Sequence, residues 1–192
     1  HIVKFKCAIM GKIVGCRFYK FTRHHIPVRF WDSQNADLLL TLEGHLGPVY
    51  SVAWSPDERV LASASFDQTI CLWNGRTGEL LQMLDGRGGA VTSVAWAPNS
   101  EILASGFADN TIHLWDMQTG RELFILEGHT DSILCVRFSP DGRLLASKSY
   151  DSTVRFWRCD SGELLAILIE PTAVMDFSGI AFHPKDFLLA TR

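Results

Sequence analysis

The sequence predicts an all-β fold built from repeated, four-stranded antiparallel sheets. Trp31, Trp73, Trp115 and Trp157 are each 42 residues apart, and a fixed period of this length is typical of repeat architectures. Within each period, short segments rich in aliphatic, aromatic and hydroxyl residues alternate with turn residues, which is a pattern of strands. About 4.6 periods fit in the 192 residues.

The period from residue 43 to residue 84 predicts one sheet. Its strands are expected at residues 49–54, 60–65, 69–73 and 80–84. The intervening segments contain Pro56, Asp67, Asn74 and Gly78, residue types that supply the backbone angles and local hydrogen bonds of tight turns. Four strands joined by such turns form an antiparallel meander.

The same period divides the whole chain. Residues 43–84, 85–126 and 127–168 are three full repeats, and residues 26–42 are the end of an earlier one. Residues 1–25 fit the period poorly and are predicted to be a degenerate or partial repeat, with a truncated or frameshifted sequence as the alternative. Residues 169–192 match only the start of a further, truncated repeat.

The third strand of each repeat predicts how the sheets pack. Ile70 and Leu72 point to one face, whereas Trp73 and Cys71 point to the other. A meander of about 42 residues cannot bury two apolar faces alone, so it must stack on copies of itself. Closing the stack into a ring protects the sheet edges.

Several short motifs recur with this period. One repeat contains Gly44-His45, the segment 61–67 (LASASFD) and the segment 70–73 (ICLW), and another begins with Gly128-His129. Trp-Asp dipeptides occur at residues 31–32 and 115–116. In register, these motifs resemble the WD-repeat family over roughly residues 26–168. The resemblance implies a β-propeller, here a partial one, whose blades are the four-stranded sheets.

The resemblance also implies a structural hydrogen-bond chain of a His, a strand hydroxyl, a turn Asp and a Trp in each blade. The expected members are His45, Ser63 (or Ser65), Asp67 and Trp73 in one repeat, and His129, Ser147, Asp151 and Trp157 in another. The repeat between them keeps Ser105, Asp109 and Trp115, but Arg87 stands where a His is expected. A looser or rearranged blade is predicted there.

In WD-repeat proteins, the positions before the first strand and before the turn Asp line the top face around the central channel. By register, these candidate partner-binding positions are Pro48, Tyr50, Phe66, Ala90, Thr92, Ala108, Ser132, Leu134 and Tyr150. Tyr50, Phe66 and Tyr150 are expected to be exposed aromatic residues of the kind enriched at interfaces. The alternative is that they only cover neighbouring blades.

Family rings commonly have seven blades, so this chain is not expected to close a usual ring by itself. Three alternatives remain open: a piece of a longer protein, a five-bladed variant, or a half-ring completed by another copy through self-association.

The sequence contains no catalytic or phosphate-binding motif of the familiar kinds. No cofactor and no metal are expected: Cys7, Cys16, His24 and His25 do not have the spacing of a zinc site. The Gly86–Gly89 segment is expected to be a turn between blades. Lys148 replaces the small residues of the other repeats, and a catalytic role for it is disfavoured.

Composition narrows the choice of partner. The formal net charge is -3 and the pI is about 6.2, so nucleic acid is an unlikely partner. No apolar run approaches the roughly 18–20 residues that cross a membrane. The five scattered cysteines favour a reducing, cytoplasmic location.

Together, these patterns predict a non-catalytic scaffold or sensor module that binds protein partners through the top face. The alternative is a regulatory part of a larger signalling ATPase or effector. An RNA-contacting or small-ligand propeller is less favoured, because the top-face positions carry no Lys or Arg.

Overall fold

The fold was analysed in a computed structural model, which describes residues 7–9, 12–15, 27–86, 89–170, 179–184 and 188–191. These residues form 18 β-strands, and no helix occurs among them. The described part of the chain accordingly has no helix that is long and apolar enough to cross a membrane.

Sixteen strands form four antiparallel sheets of four, and each sheet follows chain order. Blade 1 contains β1 (Cys7–Ile9), β2 (Lys12–Gly15), β3 (Val28–Asp32) and β4 (Leu38–Leu42). Blade 2 contains β5 (Val49–Trp54), β6 (Val60–Ser65), β7 (Thr69–Asn74) and β8 (Leu80–Asp85). Blade 3 contains β9 (Val91–Trp96), β10 (Ile102–Phe107), β11 (Ile112–Asp116) and β12 (Arg121–Leu126). Blade 4 contains β13 (Ile133–Phe138), β14 (Leu144–Ser149), β15 (Thr153–Arg158) and β16 (Leu164–Ile169), and the pair β17 (Ile180–Phe182) and β18 (Leu189–Thr191) follows it.

This architecture confirms the predicted all-β fold of four-stranded antiparallel sheets. In blade 2, β7 and β8 each extend one residue beyond the predicted strand. In blade 1, β1 and β2 form a short hairpin in which Cys7 pairs with Val14. That hairpin is continuous with β3, so residues from the poorly matching 1–25 segment and from the 26–42 segment belong to one sheet.

A β-bulge recurs at the repeated tryptophan. The register between the third and fourth strands shifts at Trp31, Trp73, Trp115 and Trp157 in the four blades. A bulge bends the strand and increases its local twist. Its recurrence shows that the period of the sequence specifies backbone geometry as well as side-chain type.

Apolar cores lie between adjacent blades. Phe30 of blade 1 packs in one cluster with Trp73 of blade 2, and Leu114 of blade 3 packs in another with Trp157 of blade 4. The first strands β5, β9 and β13 are neighbours on the inner side of the stack, whereas much of each fourth strand is exposed. The tryptophans are therefore anchors between blades, as the alternation in the third strand predicts.

The antiparallel order gives the stack two ends. The first and third strands begin, and the second and fourth strands finish, at one end, which we call the top end. It carries the loops between blades and the turns between second and third strands. The opposite end carries the other two turns of each blade.

Candidate functional site

Blade 2 contains a continuous hydrogen-bond chain below the top end. His45 Nδ1 lies 2.9 Å from Asp67 Oδ2, and His45 Nε2 lies 2.7 Å from the hydroxyl of Ser63. Trp73 Nε1 donates to the same hydroxyl at 2.8 Å. Because Asp67 accepts, we assign the imidazole proton to Nδ1, which leaves Nε2 to accept from Ser63.

Blade 4 repeats this chain with equivalent residues. His129 Nδ1 lies 2.7 Å from Asp151 Oδ2, and Nε2 lies 2.8 Å from the Ser147 hydroxyl. Trp157 Nε1 donates to Ser147 at 2.8 Å. In blade 2, the sequence left Ser63 and Ser65 open as members, whereas in blade 4 it named Ser147. The structure places Ser63 in the chain, whereas Ser65 donates to the carbonyl of Pro48.

The turn aspartates hold the surrounding loops. Asp67 accepts from the backbone N–H of Leu46 and from the hydroxyl of Thr69, at 2.7 and 2.6 Å. Burial by itself raises the pKa of Asp67, but the Thr69 and Leu46 hydrogen bonds and the nearby His45 outweigh it, so that pKa is lowered. The pKa of Asp151 is lowered in the same way, against its burial, chiefly by Thr153, His129 and Thr130.

The pKa of the His129 imidazole is also lowered, which favours the neutral form of this base. Burial lowers its pKa, and the hydrogen bond from His129 to Asp151 offsets this only in part. His45 and His129 are both buried, and both ring nitrogens of each are engaged. A group enclosed in this way lacks access to a substrate, so these His–Asp pairs hold the loop against the sheet.

Blade 3 has a different arrangement. Trp115 Nε1 still donates to the Ser105 hydroxyl at 2.8 Å, but Asp109 is exposed and accepts from Thr111. Arg87 lies outside the described residues. The interior is filled by Phe107, whose ring centroid lies 4.5 Å from that of His113.

In blade 3, His113 makes polar contacts in place of the histidine of the hydrogen-bond chain in blades 2 and 4. Its Nε2 lies 3.1 Å from the Thr111 hydroxyl, and its Nδ1 lies 2.8 Å from Glu122 without forming an aligned hydrogen bond. Phe107 occupies the register position of Ser65 and Ser149, and a Cβ at Gly86 would overlap its ring. The blade is rearranged around a packed phenylalanine, and Phe107 and His113 are fully or nearly fully buried.

The top end exposes apolar side chains on the loops that this chain fixes. Phe66 is 55% exposed, Tyr150 is 45% exposed and Leu46 is 79% exposed. Tyr50 is half-buried, with its ring edge-on to Phe66 at a centroid distance of 6.2 Å. The expectation that Tyr50 is exposed therefore needs correction: it supports Phe66 from the first strand.

The remaining candidate positions form the surface between these aromatic residues. Ala108 is exposed, whereas five others are half-buried: Pro48, Ala90, Thr92, Ser132 and Leu134. Thr92 donates to the carbonyl of Gly106, and Ser132 donates across the blade boundary to the carbonyl of Ala108, both at 2.9 Å. The Ser132 hydroxyl therefore links blades 3 and 4, whereas the Thr92 hydroxyl stabilises the sheet of blade 3.

Lys148 is buried near the top end of β14, with 1% of its surface exposed. Its Nζ lies 3.1 Å from Glu170 Oε2, and Thr191 of β18 donates to the other carboxylate oxygen. Both partners lower the pKa of Glu170, the Thr191 hydrogen bond more than the lysine. Glu170 therefore links Lys148 of blade 4 to the strand pair that follows.

Sequence reasoning missed four of these residues. Leu46, Phe107, His113 and Glu170 do not repeat with the period, so self-comparison gave no signal for them. A signal did exist for Phe107, because a phenylalanine replaced a serine in a repeat that also lacked its histidine.

No group of three or more potential metal ligands occurs among the described side chains. Of the four residues weighed for zinc, Cys16, His24 and His25 lie outside the described residues, and Cys7 is in β1.

The comparison with family models decides the relationship of the chain. The model "WD domain, G-beta repeat" matches three times, over residues 36–74, 78–116 and 120–158. The chain belongs to the WD-repeat family. Each match includes the fourth strand of one blade and three strands of the next, so the family repeat is offset from the structural blade.

A curated protein is similar over part of the chain. It is the U5 small nuclear ribonucleoprotein 40 kDa protein of Dictyostelium discoideum, which is 33% identical over 72 residues. The alignment spans 38% of this chain and 19% of that relative.

Proposed function

We propose that this chain is a non-catalytic interaction module that binds a protein partner through its top end. The observation that carries the proposal is the exposure of Leu46, Phe66 and Tyr150 on loops fixed to the sheets. The aspartate that follows Phe66 also accepts the N–H of Leu46. A preorganised apolar surface loses little conformational entropy on binding.

The chemistry of the polar residues that recur with the repeat supports a binding role over a catalytic one. The imidazoles of His45 and His129 are enclosed, and Ser63 and Ser147 are fully buried. A general base must reach the proton it removes within hydrogen-bond distance. These histidines and serines instead form hydrogen bonds with one another.

We extend the proposal to a scaffold or sensor part of a larger cytoplasmic signalling protein. Membership of the WD-repeat family favours protein binding, and the five scattered cysteines, which lack any C-x-x-C pair, suit a reducing compartment.

The test is affinity capture from cell extract with three forms of the chain, followed by quantitative mass spectrometry. Phe66→Ala with Tyr150→Ala should remove the bound partner, because exposed aromatic residues are frequent hot spots. The matched control is Leu81→Ala with Leu165→Ala, which removes exposed leucines from the fourth strands. Equal partner recovery by all three forms would contradict the top end as the binding surface.

Residence in a ribonucleoprotein particle is a second candidate, favoured by the name of the Dictyostelium relative. It requires no RNA contact by this chain, because a module in such a particle can bind proteins alone. If small nuclear RNA co-purified with the chain and still did so after the Phe66 and Tyr150 substitutions, the chain would be held in the particle through a surface other than the top end.

A further inference from the structure

We infer that the top end takes a basic peptide segment, rich in arginine or lysine and carrying an apolar residue. This inference rests on the proposed function and specifies the chemistry of its partner. It is carried by the distribution of charge between the two ends of the stack, together with the exposed apolar side chains at one of them.

The exposed charged groups of the top end are carboxylates. They occur where fourth strands finish and in the loops and turns of blades 2 to 4: Glu43, Asp85, Asp109, Glu127 and Asp131. Among the described residues, no exposed lysine or arginine lies at this end. Arg29 and Arg155 are partly buried with enclosed Nε atoms, and Lys148 is buried against Glu170. Arg17, Lys20, Arg23 and Arg87 are outside the described residues.

The exposed charged groups of the opposite end are of both signs: six arginines and eight carboxylates among the described residues. Three of these arginines are close to a carboxylate: Arg59 to Asp57 at 3.8 Å, Arg143 to Asp141 at 3.8 Å and Arg158 to Glu163 at 2.8 Å. Among the described residues, the top end is therefore the one whose exposed charges are all negative, and its local field attracts cations. Oriented fields of this kind steer association and exclude partners of the wrong sign.

Hydrogen bonds bring two of the top carboxylates and an aromatic ring together. Ser132 donates to the carbonyl of Ala108, which places the turn with Asp109 beside the loop with Asp131. The N–H of Tyr150 donates to the Ser132 carbonyl at 3.1 Å, and Ser149 donates to the Asp131 carbonyl. Asp109, Asp131 and Tyr150 thus form one surface across the boundary of blades 3 and 4.

A basic peptide matches both properties of this surface. A guanidinium or ammonium group gains from the carboxylates and from the face of an exposed aromatic ring, here Tyr150 or Phe66. An apolar residue of the same segment gains from Leu46 and Phe66. A nucleic acid would bring its phosphates against the carboxylates, so a peptide is the partner that fits.

The test is selection of a random peptide display library on the intact 192-residue chain, followed by fluorescence anisotropy of the selected peptides. We expect enrichment of arginine or lysine next to an apolar residue. The Asp109→Asn/Asp131→Asn variant should bind the selected peptides about tenfold more weakly. Asparagine keeps the acceptors for Thr111 and Ser132, so the fold is preserved.

The matched control is Glu79→Gln/Asp160→Asn, which removes two exposed carboxylates from the opposite end. It should leave binding unchanged. Affinity for wild type should fall as salt is raised, and Tyr150→Ala should also weaken binding about tenfold. An unlabelled oligouridine should not compete.

The outcomes separate this inference from the proposed function. Selected peptides without basic residues that still lose binding on Tyr150→Ala would overturn the basic partner and keep the binding surface. The basic partner would also be overturned if the selected peptides bound the Asp109→Asn/Asp131→Asn variant as tightly as the Glu79→Gln/Asp160→Asn control. Competition by oligouridine would overturn it as well. Failure of every selected peptide to respond to Tyr150→Ala and Phe66→Ala would overturn the proposed function itself.

Discussion

Ser63 is the residue on which the hydrogen-bond chain of blade 2 depends. Its single hydroxyl accepts from Trp73 and donates to His45. Ser63→Ala leaves both partners buried without their hydrogen bond, and we expect the free energy of unfolding to fall by about 2–4 kcal/mol. Urea denaturation followed by tryptophan fluorescence measures this loss.

Ser105 provides the matched control for that prediction. Its hydroxyl accepts from Trp115 and donates to the backbone carbonyl of His113, but it has no imidazole partner. Ser105→Ala should therefore cost only about 1–2 kcal/mol. If the two substitutions were equally destabilising, the bond between His45 and Ser63 would contribute nothing to stability.

His129 predicts a dependence of stability on pH. Its pKa is lowered by burial in the folded state, so between that value and about 6.5 the unfolded chain binds more protons than the folded chain. The free energy of unfolding should thus be full above about pH 6.5 and decline as the pH falls below it. The lowered pKa values of Asp67 and Asp151 add a further loss only below about pH 4.

Urea midpoints measured near pH 7.5 and near pH 5.5 check this prediction. His129→Gln should show a smaller decline between the two pH values, even though the variant is less stable at both. An identical decline in the variant would mean that another group causes it.

At this scale, the sequence was informative wherever a residue repeats. The chain of His45, Asp67 and Trp73 could be named because the repeats resemble the WD-repeat family and each of these residues has an equivalent 84 residues later. The choice between Ser63 and Ser65 could not be made, because both hydroxyls repeat and both project from the same face of the strand. Phe107 and His113 were missed because they replace the usual hydrogen-bond chain in blade 3 alone and have no equivalent in the other repeats.

At the scale of the element, blade 3 shows that packing can replace a polar chain. Buried Phe107 and His113 occupy the interior that His45 and Ser65 share with the loop in blade 2. Strand positions were predictable to about one residue from turn chemistry and alternation. The short β1–β2 hairpin was not, since the first 25 residues lack the proline-containing turn that the other blades have at Pro56, Pro98 and Pro140.

The contact between blade 4 and β18 predicts another effect on stability. Lys148 is buried and faces Glu170, so Glu170→Gln removes the charge that compensates it. We expect the free energy of unfolding to fall by about 1–3 kcal/mol. The loss should be largest at low salt, because Glu170 is partly exposed and its charge is screened.

A double-mutant cycle isolates this pair. Lys148→Met together with Glu170→Gln should recover most of the stability lost in Glu170→Gln, because no buried charge remains uncompensated. Additive losses in the double variant would show that the two side chains do not interact.

At the scale of the whole molecule, the sequence predicted the stack but not how its flanks are covered. Leu42, Leu84 and Leu126 end the fourth strands of blades 1 to 3 and are each 3% exposed, because the next blade covers them. Leu168 has the same place in blade 4 but is 47% exposed. Within the described residues, β17 packs on β13 and β14, so the outer half of that face is open.

This open face predicts self-association of the isolated chain. Light scattering should give a mass that rises above 21.5 kDa with concentration, because apolar surface at Leu168 is removed from water when copies meet. Leu168→Glu should return the mass to that of one chain. Ile167→Glu is the matched control: Ile167 lies next to Leu168 on the other face, and its equivalents Met83 and Ile125 are exposed to the same degree. A mass of one chain at all concentrations would contradict the prediction, and equal effects of the two substitutions would assign the association to the edge of β16 instead of its blade-facing side.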